Sequence, residues 1–148
     1  WYYEMTDLGF NYRLTDIQCA LGISQLEKID EGLKRRNQIA EKYKEAFKGL
    51  IKHQSLPLKS YNAHHLFVIE VENRKGLYDY LRKQNIFAQI HYIPIHKLPY
   101  YKKIGYEGSD LNNSENYYSK CISLPMYPTL TTEEQNYVIK HVNKFING

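Results

Sequence analysis

A helical pattern that begins near Asp16 and continues to about Lys48 is the feature that most limits what this 148-residue chain can fold into. Thr15 and Gln18 form a capping-box pattern, which marks the start of a helix. A helix of this length is long for a small domain, so we expect Gly32 to bend it or to divide it in two. Its apolar positions recur at helical spacing, and they are Ile17, Ala20, Leu21, Leu33, Ile39, Tyr43 and Phe47.

Three short segments further along the chain have the composition of strands. Residues 65–72 and 86–93 are rich in β-branched and aromatic side chains, and the second of these segments ends at Pro94. Residues 122–125 are a third candidate. With the helices between them, these segments predict an α+β domain, or an open α/β layer, in which helices cover one face of a small sheet.

Three further helices are predicted from their capping residues. Asn73 precedes a helix that we expect to extend to Lys83, Asn112 precedes one over residues 112–121, and Thr131 opens the last helix of the chain. The side chains that we expect to face inward are Leu77, Tyr80 and Leu81 in the first of these helices and Val138, Ile139, Val142, Phe145 and Ile146 in the last.

Composition limits what this domain can do alone. Hydrophobic residues make up 43% of the chain, but 15 of them are tyrosines, so aliphatic material for a core is thin. Together with the overlong helix, this indicates a domain that packs against something else. No apolar run approaches the roughly 18 residues of a membrane span.

The cysteines and the N-terminal residues indicate a compartment. Cys19 and Cys121 form neither a disulfide framework nor a metal-type spacing, which fits reducing conditions. The residues after Trp1 lack the basic region and the apolar stretch of a secretory signal. We therefore expect a cytoplasmic location.

The loop over residues 9–13 is the first candidate binding site. Asn11 offers amide donors and Arg13 offers a cation, directly before the predicted helix start. The dipole and the free amides of a helix N-terminus favour an anion. These residues are consistent with a phosphate-binding corner, or with a loop that contains an Asn turn and a surface arginine.

The segment 89–96, with the sequence QIHYIPIH, is the second candidate site. It places His91 and Tyr92 at the end of a predicted strand, where ligands tend to bind in α/β layers. An imidazole can donate to a sugar or phosphate oxygen, and a tyrosine can stack on a ring or donate its hydroxyl. The structural alternative is a His–Tyr pair that packs at the strand end.

Other site types find less support. We expect no metal site from His64, His65, His91 and His96, because the adjacent pair points to opposite faces of a strand and no carboxylate or cysteine pattern accompanies them. The net charge of +4 includes a basic stretch over residues 28–59, which fits a solvated helix face or attraction of a phosphorylated ligand.

Nucleic-acid binding and self-contained catalysis are likewise not expected. Tyrosine pairs at 100–101 and 117–118 lie near basic residues and could stack on bases, but no RNP-like or GXXG signature is present. The chain also lacks a Gly-x-Ser-x-Gly motif and a glycine-rich phosphate loop. Spacing alone therefore shows no complete catalytic apparatus.

Several segments, taken together, resemble one family. They are LGFNYRLTDIQCALG at 8–22, QLEKID at 25–30, HYIPIH at 91–96, PYY at 99–101, YY at 117–118 and SLPMYP at 123–128, followed by Leu130, Thr131 and Gln135. In this order they resemble the DegT/DnrJ/EryC1/StrS family of pyridoxal-phosphate sugar aminotransferases. The chain is most similar to the branch that aminates a UDP-4-keto-6-deoxy-N-acetylhexosamine on the way to pseudaminic acid.

The resemblance implies a fold, a cofactor and partners. The fold would be the small C-terminal domain of the aspartate-aminotransferase arrangement (fold type I), in a homodimer with its active sites at the interface. Asn11 would reach across the dimer to the phosphate of pyridoxal 5'-phosphate. L-Glutamate would be the amino donor. The substrate-binding residues would be Tyr12, Arg13, His91, Tyr92, Ile93 and Pro94.

One departure from the family pattern bears on activity. The family's Schiff-base lysine belongs to a Ser-x-x-x-x-Lys…Gly-Glu-Gly-Gly stretch, and no such stretch occurs here. The resemblance therefore implies that residues 1–148 are the C-terminal part of an aminotransferase, without the N-terminal lysine domain and inactive alone. Two alternatives stay open: a non-catalytic nucleotide-sugar or phosphate-binding module, and an oligomerisation domain built on the long helix.

Overall fold

Six α-helices and three short strands form in the residues that the computed structural model describes, which are 1–57, 60–106 and 111–148. These residues divide into two compact units, Trp1–Glu31 and Gly32–Gly148. The elements are α1 (Asp16–Leu26), α2 (Ile29–Ala46), β1 (Lys52–His53), β2 (Phe67–Glu70), α3 (Arg74–Lys83), a 3-10 turn (Ile95–Lys97), α4 (Pro99–Lys103), α5 (Asn112–Lys120), β3 (Cys121–Leu124) and α6 (Thr132–Asn147).

The predicted capping box at the start of α1 is confirmed. Gln18 N donates to Thr15 Oγ1 at 3.3 Å, and Thr15 N donates to Gln18 Oε1 at 2.9 Å. None of the residues of α1 is buried, although Ile17, Leu21 and other apolar side chains lie on it. The apolar stripe that the sequence predicts there is therefore an exposed one.

The predicted division of the long helix at Gly32 is wrong. The two helices separate at Glu27 and Lys28, where Lys28 N donates to Gln25 O at 3.1 Å in a tighter turn. Gly32 continues inside α2, because a glycine costs a helix interior only about 1 kcal/mol. A Cβ at Gly32 would lie 3.5 Å from Pro128 Cγ, so the helix passes close to that ring.

The sheet is antiparallel, in the order β1-β2-β3. β2 pairs with β3 from Phe67↔Leu124 to Glu70↔Cys121, and with β1 through Lys52↔Glu70 and His53↔Ile69. Two of the predicted strands thus exist, each within one or two residues of its expected range. The antiparallel pairing makes the domain α+β, not an open α/β layer.

The strand predicted at 86–93 is wrong. Only Gln89 of that segment pairs with the sheet, as an isolated bridge to Ser123. Gln89 N donates to Ser123 O at 3.0 Å, and Ser123 N donates to Gln89 O at 2.8 Å. Beyond this bridge the segment makes side-chain contacts in place of ladder hydrogen bonds, so alternation of residue types alone did not make it a strand.

The core lies in residues 32–148, between the sheet and the helices α2, α3 and α6. Tyr43 is fully buried, with its ring against Phe47 and Phe67, and its hydroxyl donates to Pro125 O at 3.0 Å. Burial raises the pKa of Tyr43 well above its ordinary value. The inward positions predicted for α3 and α6 are confirmed as buried for Leu77, Leu81, Val138 and Val142 and as partly buried for Tyr80, Ile139, Phe145 and Ile146.

Arg36 of α2 ties together two segments that flank the sheet. Its Nη1 atom donates to the carbonyl oxygens of His64 at 3.2 Å, His65 at 3.4 Å and Met126 at 3.1 Å. His64 and His65 precede β2, and Met126 follows β3. One partly buried guanidinium therefore holds both chain segments against α2.

The ends of the later helices match the sequence except at α5. Asn73 Oδ1 accepts from Gly76 N at 3.0 Å, and Thr131 forms a capping box with Glu134. In α5 the N-cap position is Leu111, not Asn112 as predicted. No helix in the described part of the chain is long and apolar enough to cross a bilayer.

Candidate functional site

The first candidate loop holds Asn11 and Arg13 in contact. Arg13 Nε donates to Asn11 Oδ1 at 3.3 Å, which leaves the amide NH2 of Asn11 as a donor. The ring of Tyr12 stacks on Phe10 at 5.4 Å between centroids. All three candidate residues of this loop are exposed. An amide and a guanidinium side by side, both donors to oxygen, form a suitable donor set for a phosphate group.

The helix that follows contributes less to this loop than the sequence suggests. The capping box already engages the backbone amides of Thr15 and Gln18. The donors that could meet an anion at the loop are therefore chiefly those of Asn11 and Arg13.

The second candidate loop begins at His91, which β3 holds in place. The His91 Nδ1 atom lies 2.8 Å from Ser123 Oγ. The thiol of buried Cys121 lies 3.8 Å from the His91 carbonyl oxygen. The His91 and Tyr92 rings meet edge to face at 4.7 Å. This end of the loop is anchored to the sheet through two residues of one strand.

The other end of the loop is anchored by Glu115 of α5. His96 Nε2 lies 2.8 Å from Glu115 Oε1, and Lys97 Nζ lies 2.6 Å from Glu115 Oε2. These contacts, the one with Lys97 first, hold the pKa of the Glu115 carboxyl below its ordinary value. One carboxylate thus fixes the 3-10 turn that closes the loop.

The residues between the two anchors face solvent. Tyr92 is 73% exposed and Ile93 is 50% exposed, whereas Pro94 is partly buried. An exposed aromatic ring on a loop fixed at both ends can stack on a planar group, and its hydroxyl can donate to an oxygen. The structure brings His91, Tyr92, Ile93 and Pro94 together in one loop of the second unit, and Asn11, Tyr12 and Arg13 together in one loop of the first unit.

The four histidines are held in different surroundings. His64 and His65 are not part of a strand, as the sequence predicts; His64 has a φ of 46° and is buried. Burial lowers the pKa of His64, and its Nε2 atom has no hydrogen-bond partner. Within residues 1–57, 60–106 and 111–148, no group of three or more His, Cys, Asp or Glu side chains could hold a metal ion.

Ser123 and Glu115 are site residues that the sequence does not reveal. Ser123 belongs to the segment SLPMYP, and nothing local indicates that it contacts a histidine 32 residues away. Glu115 follows Asn112 at the spacing of a helix cap, which points to a different role from its contacts with His96 and Lys97.

With this geometry described, comparison with known proteins places the chain. Residues 1–143 match the DegT/DnrJ/EryC1/StrS aminotransferase family. The chain belongs to this family. The resemblance inferred from the two loops and the flanking segments is therefore confirmed.

Individual relatives agree in sequence and in fold. The chain is 32% identical over 145 residues to the UDP-4-amino-4,6-dideoxy-N-acetyl-beta-L-altrosamine transaminase of Campylobacter jejuni, covering 93% of this chain and 38% of that protein. Helicobacter pylori PseC, described as an aminotransferase involved in the biosynthesis of pseudoaminic acid, is similar with a TM-score of 0.84 and 30% identity over 97% of this chain and 40% of that chain.

A DegT DnrJ EryC1 StrS aminotransferase from Brucella abortus gives a TM-score of 0.85 and 32% identity, covering 100% of this chain and 40% of that chain. These likenesses confirm the predicted fold class. The chain spans about 40% of the length of the curated relatives that it matches.

Proposed function

We propose that this chain is the C-terminal part of a pyridoxal-phosphate-dependent aminotransferase that aminates C4 of a UDP-4-keto-6-deoxy-N-acetylhexosamine in the cytoplasm, with L-glutamate as amino donor. The observation that carries the proposal is the family match over residues 1–143, which includes both candidate loops. The Campylobacter jejuni and Helicobacter pylori relatives support the nucleotide-sugar substrate.

The residues of the first loop suit the cofactor's phosphate. Arg13 orients the Asn11 amide so that its NH2 group can donate, and both side chains are exposed to a ligand. When bound, pyridoxal phosphate supplies an electron sink for transfer of the amino group. Asn11 would bind its phosphate from the partner subunit, and Tyr12 and Arg13 would contact the substrate nearby.

The residues of the second loop suit a nucleotide sugar. His91 would donate to a sugar or phosphate oxygen, and Tyr92 would stack on or hydrogen bond to the substrate. Ile93 and Pro94 would form the apolar wall that excludes water beside them. Because the family's lysine pattern does not occur in these 148 residues, the chain would bind and orient, and the catalytic lysine would come from the preceding domain.

The exposed apolar residues of the first unit favour a homodimer. Leu21 is 62% exposed and Leu26 is 67% exposed, and several neighbours on α1 are equally open to solvent. Burying them against a second subunit would stabilise the assembly by about 25 cal/mol for each Å² of apolar surface. We expect Leu21→Glu to shift the whole protein from dimer to monomer in analytical ultracentrifugation, whereas Gln25→Glu on the same helix should leave the dimer intact.

The decisive experiment is transamination by the whole protein. With pyridoxal phosphate, L-glutamate and the UDP-4-keto sugar, it should form the 4-amino sugar and 2-oxoglutarate. The 148-residue chain alone should form neither, nor yield a cofactor-linked lysine after borohydride reduction. Product formation by this chain alone would contradict the proposed division of labour.

A substitution at Asn11 tests the phosphate contact. Loss of one hydrogen bond to a charged group costs about 1.5–3 kcal/mol, which is roughly a tenfold to hundredfold loss of cofactor affinity. Asn11→Ala in the whole protein should show this loss by equilibrium dialysis. Asn136→Ala, on an exposed face of α6, should bind the cofactor normally. Equal affinities for the two variants would remove Asn11 from the site.

A further inference from the structure

The contact between Ser123 and His91 carries an inference that rests on the proposed nucleotide-sugar site and specifies how that site selects its ligand. Ser123 is 4% exposed, and its Oγ atom lies 2.8 Å from His91 Nδ1. The two residues are far apart in the chain, so the contact depends on the fold.

The backbone holds Ser123 firmly. In β3 it stands opposite Val68 of β2 on one side, and on the other side it exchanges two backbone hydrogen bonds with Gln89. Gln89 is only two residues before His91. The serine hydroxyl and the imidazole are therefore both fixed relative to the same strand, which is what a preorganised site requires.

The direction of the hydrogen bond follows from burial. A buried hydroxyl hydrogen needs an acceptor, because an unmade hydrogen bond costs free energy. An unprotonated Nδ1 atom is such an acceptor at 2.8 Å. When Nδ1 accepts, a neutral imidazole carries its hydrogen on Nε2.

We propose that Ser123 is a positioning residue that holds His91 in the Nε2–H tautomer, so that His91 offers an N–H donor to phosphate or sugar oxygens of the nucleotide sugar. The opposite tautomer would present a lone pair to those oxygens and repel them. Because His91 is only partly buried and Nδ1 is already engaged, Nε2 is the ring nitrogen left for the ligand. Ser123 thus makes the loop selective for oxygen acceptors without touching the ligand.

The tautomer is measured directly by nitrogen NMR of the whole protein labelled at histidine, at roughly pH 8, above the ordinary histidine pKa of about 6.5. The unsubstituted protein should show the His91 signals of an Nε2–H imidazole. Ser123→Ala should give a mixture of tautomers, and Ser123→Thr, which keeps a hydroxyl, should restore the original pattern. Ser119→Ala on exposed α5 should change nothing.

Binding of UDP-N-acetylglucosamine, measured by calorimetry on the same samples, connects the tautomer to the ligand. Ser123→Ala should weaken binding about two- to tenfold, and Ser123→Thr should recover it. An Nδ1–H signal in the unsubstituted protein overturns the inference without any variant, and so does a tautomer that Ser123→Ala leaves unchanged. Failure of the unsubstituted protein to bind the UDP sugar would instead contradict the proposed function, whatever the tautomer.

Discussion

Replacing Arg36 with methionine should destabilise the fold far more than a surface substitution. Methionine keeps most of the apolar stem of the side chain but removes the charged donor. The carbonyl oxygens of His64, His65 and Met126 would then lose the Nη1 contacts at 3.1–3.4 Å. Because those segments flank β2 and β3, the loss affects both ends of the sheet.

The magnitude follows from the number of hydrogen atoms on Nη1. Two N–H groups can make two good hydrogen bonds, each worth about 1.5–3 kcal/mol when the donor is charged. Partial exposure of Arg36 lets water replace some of this, so we expect a loss of about 2–4 kcal/mol. A loss of about 3 kcal/mol lowers Tm by about 6–12 °C in a chain of this size.

Urea unfolding followed by far-ultraviolet circular dichroism measures this loss, provided that the m-value stays constant. Lys34→Met, two residues away on the exposed side of α2, is the matched control and should change stability by less than about 0.5 kcal/mol. Arg36→Lys should fall between the two, because an ammonium group cannot reproduce the planar donor geometry. If Arg36→Met unfolds at the same urea concentration as Lys34→Met, the guanidinium does not hold the two segments.

Three further predictions concern other parts of the chain. Burial lowers the folded-state pKa of His64 and of His141, so the unfolded chain takes up protons first below about pH 6.5; the urea midpoint should fall between roughly pH 7 and pH 5, and a constant midpoint would contradict this. A thiol reagent should modify exposed Cys19 quickly and buried Cys121, whose pKa burial raises, only after unfolding; rapid modification of both would show that β3 opens. Thr131→Ala should cost about 1 kcal/mol in thermal unfolding by removing the cap of α6, and Thr131→Ser should restore most of it.

Local features of the chain were predictable, and the reason is visible at the helix ends. The capping boxes at Thr15 and Thr131 and the cap at Asn73 involve residues three positions apart, so the sequence contains the whole interaction. The inward faces of α3 and α6 follow from periodicity in the same way.

Features that depend on distant partners were not predictable. β1 has only two residues, and it exists because Lys52 and His53 meet Glu70 and Ile69. Its residues carry no strand signal of their own. Residues 86–93 carry a strong strand signal, but β3 offers a partner only at Gln89. In both cases the missing information is the position of the neighbouring strand.

The same distinction separates the two candidate loops. In the first, Asn11 and Arg13 are two residues apart, and their contact could be anticipated as an anion-binding pair from the sequence. In the second, His91 depends on Ser123 and His96 depends on Glu115, which the fold brings from 32 and 19 residues away. The motif HYIPIH therefore shows where a ligand could bind, whereas its donor pattern is set by residues outside the motif. For this reason, substitutions at Ser123 and Glu115 should separate proteins that share the motif but differ in the ligand that the loop accepts.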